Sequence, residues 1–543
     1  EPIRANMSSH DEDPGLIVGE DDVRQSLLAQ DVLRTAEESR SGQEDYAVAL
    51  EGVVESEHAN PDQAENSRAN NFHDVECDAE ANGHNSFKAL VWREEVGLIC
   101  FLAVGIFLSR ASWVIIKTTD TALLGHVSPH ALSASAIADL FMSATRVLTG
   151  GGVLGIFVGQ SVGANDFHMA SVWLQISLVA LTPLAIIVMI LWFLTGPVLT
   201  LLGADKELIP DAAYYGSVLA LSVPGRLIMT QISQFLSAHG RVRPEANVFV
   251  FACVCNLVLG LVFVLGVPFK GWEGFGFKAC PWVTVSTETV QVFVFWFIYA
   301  YWFSLHRELG WTGWHFEEIT RERVKEFLKL YIPAMLSSCS DYWRMSVIGI
   351  LAATLGNIEL GVFNASYRIF WMSLTIVGSL AFAVRVRLSN YLGAGNIHAA
   401  KMTVHIGMVI AAVSLSSIAL VICFAIQDVA KIFSNDPEIL GLFEGAAVPI
   451  ALTLVLMNLA VFLEQIPLAM GKTRATFMAG VVGSWLGQVP GAYIAITYWR
   501  HDFNGLYYGV AVGYGILCLL LIVIISCTDW DAVVKDAQRR NAL

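Results

Sequence analysis

A chain of 543 residues with 55% hydrophobic and only 15% charged residues is too apolar for an ordinary water-soluble enzyme. Its formal net charge of −15 is local: residues 1–88 hold roughly 21 acidic against roughly 6 basic side chains, which leaves the remainder close to neutral. The composition describes a polytopic membrane protein with a charged arm, and no nucleic-acid partner is expected.

In chain order, residues 1–88 lack apolar periodicity and are rich in Glu, Asp, Ser and Asn, which reads as a disordered acidic cytosolic tail. The segment does not read as a signal peptide, and its acidity argues against an organelle transit peptide. From there on long apolar runs recur. ISLVALTPLAIIVMILWFL (176–194) is long enough to cross a hydrocarbon core of about 30 Å. Six spans are expected near 96–124, 131–161, 169–202, 210–238, 245–268 and 279–305. Six more follow near 325–354, 360–388, 401–433, 441–469, 474–498 and 506–527. The expected organisation is therefore an N-lobe over 89–305, a cytosolic loop over 306–324, a C-lobe over 325–527 and a cytosolic tail over 528–543. Nine cysteines are scattered without a C-x-x-C pair and read as apolar filler.

The halves are related. VGANDFHMAS (162–171) returns as LGAGNIHAAK (392–401), so that His168 and His398 lie 230 positions apart. AHGRVR around Gly240 returns as AMGKTR around Gly471 at an offset of 231. Asp205 and Glu207 match Asp436 and Glu438 at that same offset of 231. The chain is a duplication. Six is even, so both halves enter the membrane from the same side and the lobes are parallel, related by a pseudo-twofold axis along the membrane normal. Lys and Arg crowd one set of connections, among them Arg241, Arg243, Arg307, Arg323 and Arg474, which places both termini in the cytosol.

These repeated stretches resemble the multidrug and toxic compound extrusion (MATE) transporter family, in particular its plant-type eukaryotic branch. VRVRLSNYLGAGNIHAAK is similar to the branch signature Arg-Val-Ser-Asn-Glu-Leu-Gly-Ala-Gly-Asn-Pro, with Arg387, Asn390, Gly393 and Gly395 matching. TDTALLGH (119–126) resembles the first-span motif Val-Asp-Thr-x-x-x-Gly-His, VGQSVGA (158–164) the Gln-x-x-Gly-Ala turn containing Gln160 and Gly163, and CSDYW (339–343) the seventh-span Cys-Leu-Glu-Trp-Trp. The resemblance covers roughly residues 95–500. It implies two six-helix lobes forming a V, a cavity near mid-membrane, and efflux of a small organic compound in exchange for protons or sodium. The Gly-Ala corners, with Gly240 and Gly471 at a second equivalent pair, are then hinge or packing elements. A Gly-Lys-Ser/Thr sequence and a preceding strand, which a phosphate loop needs, are absent from this stretch.

An ionisable group at mid-bilayer costs several kcal/mol unless it faces water or a partner, so each embedded one is a candidate. Asp341 is the first: the resemblance places it at the seventh-span acid of proton coupling, although Asp is one methylene shorter than the family's Glu. The alternative is an intrahelical pair with Arg344. Asp120 falls on the first-span aspartate of the family's cation site, or else pairs with Lys117 on its own helix. Glu464 is a displaced tenth-span acid or the partner of Lys472 or Arg474. Asp139 stands where the family has Asn, protonated or paired with Arg146. Tyr342, Trp343, Arg344, Tyr367, Arg368 and Trp371 are candidate cavity lining, with interfacial anchoring the commoner fate of membrane aromatics. No metal or cofactor site is read beyond the coupling ion. The expected protein is a monomer in the plasma or vacuolar membrane. A lipid-linked flippase of the same superfamily would need a strongly basic cavity; an intramembrane enzyme would need a nucleophile-base or metal set that the sequence does not display.

Overall fold

The computed structural model describes the backbone of residues 61–269, 271–431 and 437–542, and their side chains from Trp92 onward apart from Asn357. It divides into two compact units, Glu1–Ala89 and Leu90–Leu543. The expectation of disorder over 1–88 lies outside the described residues as far as residue 60. From Pro61 the backbone is helical as far as Val127. Extending a helix already nucleated by an apolar span adds residues without a second nucleation step.

Among the described residues the larger unit is a bundle of twelve long helical segments, with shorter helices between and after them. In the first half these are α1 (Trp92–Val127), α2 (Pro129–Gly163), α3 (Phe167–Phe193), α4 (Ile209–Ala220 and Val223–Ala238), α5 (Val242–Phe263) and α6 (Gly276–Trp302). The second half contributes α7 (Arg321–Ala353), α8 (Asn357–Gly393), α9 (Ile397–Ala430), α10 (Ala447–Ala469), α11 (473–499) and α12 (Phe503–Ser526). Nine of the described helices are long and apolar enough to cross a bilayer. The other three segments are interrupted or charged for visible reasons. α4 breaks at Leu221–Ser222, where Pro224 starts the second piece without a backbone N–H to give. α7 begins Arg-Glu-Arg and carries Asp341 and Arg344 midway. α11 contains two π-helical stretches, Val482–Gln488 and Ala495–Trp499.

Two apolar cores, one per lobe, are exchanged at their edges. Ile99, Leu102 and Ile106 of α1 belong to the second half's core. Phe327, Leu330 and Tyr331 of α7 belong to the first half's. Tyr331 fixes that crossing by donating its hydroxyl to the Leu148 carbonyl at 2.9 Å.

The repeated stretches meet where α2 and α8 end. A β-carbon on Gly163 would overlap the Asn390 carbonyl, and one on Gly393 the Gln160 carbonyl, so only glycine lets these backbones touch. Gln160 donates to the Ala469 carbonyl at the end of α10, 3.3 Å away, and Asn390 donates to the Ala238 carbonyl at the end of α4, 3.1 Å away. Each bond reaches from one half into the other, and the partners are themselves offset by 230 and 231 residues. The residues after the corners also repeat in role. Asn165 and Gly395 take left-handed φ of 58° and 72°. Asp166 and Asn396 then cap the next helices by accepting from Met169 N at 2.9 Å and Ala399 N at 3.0 Å.

The segment expected as a cytosolic tail over 528–543 contains a helix, α13 (Trp530–Asn541), capped by Asp529. Its inward face of Val533, Val534, Ala537 and Arg540 lies against this junction. Arg540 Nε donates to Gln160 Oε1 at 3.0 Å, and Asn541 Nδ2 donates to the Gln160 carbonyl at 3.1 Å.

Candidate functional site

In the C-lobe, Asp341 and Arg344 lie one turn apart on α7. Arg344 is buried, Asp341 has 45% of its side chain exposed, and Arg344 Nη2 lies 3.5 Å from Asp341 Oδ1. The stronger bond of Arg344 runs across the lobe, from Nη1 to Gln488 Oε1 at 2.6 Å. The guanidinium also stands 5.2 Å from the Tyr514 ring centroid. Gln488 closes the first π-helical stretch of α11, where one extra residue per turn turns polar side chains out of the regular stripe. Asp341 is therefore paired within its own helix and still accessible.

Glu464 does not pair with Lys472 or Arg474. It accepts from Ser337 Oγ of α7 at 3.4 Å, while Lys472 donates to Thr528 Oγ1 at 2.8 Å. The reason is direction: Glu464 faces α7, whereas Lys472 sits beyond the helix end beside α12.

In the N-lobe, Asp120 is 2% exposed. It accepts from Thr284 Oγ1 of α6 at 2.8 Å and from Asn256 Nδ2 of α5 at 3.3 Å, and among the described residues no cation bonds it directly. The expected alternative, a pair with Lys117, is corrected, because Lys117 Nζ bonds Asp139 Oδ1 of α2 at 3.0 Å. That contact also removes Asp139 as a partner of Arg146, whose guanidinium lies instead 4.5 Å from the Trp113 ring centroid. Among the described residues no three of His, Cys, Asp and Glu gather as metal ligands would.

The candidate lining separates by face. Tyr342 donates its hydroxyl to the Leu140 carbonyl of α2 at 3.3 Å. Tyr367 packs between Phe363 and Trp371, with centroids 6.2 and 6.1 Å away. Trp343, Arg368 and Trp371 are exposed. Arg387 turns away from the corner it helps spell and bonds Glu95 through Nε at 3.1 Å and Nη2 at 2.6 Å.

Several embedded groups were not singled out by sequence. Glu95, 3% exposed, also accepts from Tyr391 and Thr403, both at 2.8 Å. Glu245 accepts from Ser233 at 2.6 Å. Arg385 lies 4.2 Å from the Phe382 ring centroid. Glu95 and Glu245 sit in the first turns of spans, where an acid ordinarily signals a solvated helix start; burial was the missing information.

Two parallel six-helix halves clasped at one end, each with buried ionisable groups in its interior, define a multi-pass membrane transporter. The MatE family model matches residues 105–262 and 333–494, one copy per half, and the chain belongs to that family. Among curated relatives, Multidrug and toxin extrusion protein 1 of Danio rerio is 22% identical over 83% of this chain and 75% of its own length. Protein DETOXIFICATION 14 of Arabidopsis thaliana is 23% identical over 82% of this chain and 91% of its own. The fold is that of the crystal structure of the eukaryotic MATE transporter AtDTX14, with a TM-score of 0.75 at 23% identity, covering 83% of this chain and 99% of that one.

Proposed function

We propose that this MATE transporter exports a small organic compound in exchange for protons, as a monomer with both termini in the cytosol. Asp120 would carry the coupling proton in the N-lobe, and Asp341 would be the exchangeable carboxyl of the C-lobe. The observation that supports this best is the environment of Asp120, sealed from solvent with a threonine hydroxyl and an asparagine amide as its hydrogen-bond partners while the nearby Lys117 bonds Asp139 instead. An ionised carboxylate without a counter-ion in such a place costs several kcal/mol, and taking up a proton removes that cost. A carboxyl in that position responds to proton supply, which an antiporter needs. Asp341 differs because Arg344 offsets its charge, so its proton exchange depends on whether Arg344 stays on Gln488 or turns to it. Glu464, bonded to Ser337 of the same α7, is placed to follow that movement.

In proteoliposomes, Asp120→Asn should retain substrate binding and lose uptake driven by a pH gradient, by about 100-fold or down to background. Asp341→Asn should lower the rate and shift its pH dependence. Wild-type rates for Asp120→Asn would sink the assignment, and uptake that follows a sodium gradient alone would replace the proton with sodium.

A further inference from the structure

A second interior site lies beside Asp120's lobe interior and differs from it in kind. A cavity of about 340 Å³ is walled by Trp113, Arg146, Trp192, Arg226, Glu288 and Gln291, drawn from α1, α2, α3, α4 and α6. That volume falls within the range of small-molecule pockets, about 300–1,000 Å³. Its charged groups are two guanidiniums and one carboxylate, and the hydroxyls of Thr149, Thr230 and Ser338 complete the polar wall. Glu288, the carboxylate in the wall, is spent on Arg226, with Nε to Oε2 at 2.5 Å. The second amino group of that arginine, Nη2, is buried with no acceptor, and so is Gln291 Nε2. Gln291 itself is only 5% exposed. Arg146 makes no direct ion pair among the described residues: Asp139 bonds Lys117 and Glu288 bonds Arg226, and both carboxylates reach Arg146 only through space. Two guanidiniums lie against indoles, Arg146 at 4.5 Å from the Trp113 centroid and Arg226 at 5.4 Å from that of Trp192.

A guanidinium cannot shed its proton to relieve its burial, as a carboxyl can gain one. An unpaired Arg146 beside two further unspent donors is therefore a standing demand for an acceptor, and the tryptophans offer flat apolar walls on which to lay a ring. A cation entering this cavity would meet two like charges and find the one carboxylate already engaged. We propose that this cavity binds an aromatic carboxylate, with Arg146 as the residue that selects the anion. The inference rests on the export of a small organic compound proposed above and names that compound's chemical class.

The test is equilibrium binding, by titration calorimetry without any gradient, to the full chain in nanodiscs. Three probes share one ring system: 2-naphthoate, the neutral 2-naphthamide, and (2-naphthylmethyl)trimethylammonium. The carboxylate should bind at least about tenfold more tightly than either of the others, as loss of a charge-assisted bond implies. Arg146→Gln should remove that advantage of the carboxylate over the amide, and Arg146→Lys should restore part of it. Tightest binding of the ammonium, equal binding of carboxylate and amide, no binding of any probe, or an Arg146→Gln variant with the wild-type order would each overturn the inference. The wild-type comparison stands even where a variant fails to fold. Gradient-driven uptake of the ammonium without naphthoate binding would overturn the anion and leave the exporter intact. Naphthoate binding in the expected order without uptake under any gradient would support the anion and sink the exporter.

Discussion

Glu95 shows how much a single buried carboxylate can organise. It receives two bonds from Arg387 of α8 and one each from Tyr391 and Thr403, so one residue near the start of α1 fastens it to α8 and α9 of the other half. Glu95→Gln keeps the shape and leaves Arg387 without its counter-charge, which should destabilise the fold by about 3 kcal/mol. A fall in the thermal midpoint of the purified protein in detergent, with no comparable fall for Arg387→Gln in a Glu95→Gln background, would show the coupling. His168, from the repeated stretch, does different work: its Nε2 lies 2.7 Å from Glu318 of the loop before α7. That bond first, then Arg323, holds the Glu318 carboxyl below the usual carboxylate range against a burial effect that raises it. With a folded pKa lower than the unfolded one, the contact contributes its stability above the unfolded value and loses it as pH falls through the lower folded value. Hydrogen exchange over 306–320, corrected for intrinsic rates, should therefore rise on acidification below the ordinary glutamate range, and Glu318→Gln should remove that acid dependence.

At the scale of elements, the decisive contact is between the ends of α2 and α8. Gly393→Val would drive a branched side chain into the Gln160 backbone, where no side chain can move aside, and Gly163→Val would do the same to Asn390. Overpacking of this kind costs about 1–3 kcal/mol or more. Each variant should show reduced insertion yield and a lowered thermal midpoint, while Gly97→Ala, with open space around it, should show neither. The motif strings in these corners were legible from sequence, and the left-handed residue followed by an Asx cap explains why they repeat. Their mutual contact was not legible, because offset equivalence says that two turns are alike and nothing about whether they touch. α13 was missed for another reason. Asp529 before an apolar pattern at 533, 534 and 537 is a helix signal, but in a short charged segment past the last span it also reads as a solvated end.

Across the whole molecule, alternating exposure of a central site needs the clasped end to part, and α13 lies across it. Ser161 Oγ donates to Asn541 Oδ1 at 3.0 Å, so α13 is tied to the end of α2 as well as to Gln160. In a background freed of the nine native cysteines, Ser161→Cys with Asn541→Cys should form a disulfide under mild oxidation. Transport should then fall to background and recover on reduction. Full activity of the cross-linked protein would show that this end does not open during the cycle.

Periodicity, hydropathy and the fixed offset determined that the chain spans a membrane, that it has two parallel halves, and which acids lie at mid-span, since these are properties of order along the chain. Which charge answers which was decided only by the tertiary structure. Lys117 could reach Asp120 on its own helix or Asp139 on the next, and Glu464 could reach a lysine or Ser337; the choice belongs to the side of each helix that packing turns inward. The same holds for Arg146, whose exceptional position is invisible until its neighbours are found to be engaged elsewhere. An ion pair depends on a few ångströms between separate helices, and a one-dimensional pattern carries that distance only within a helix, through its turn.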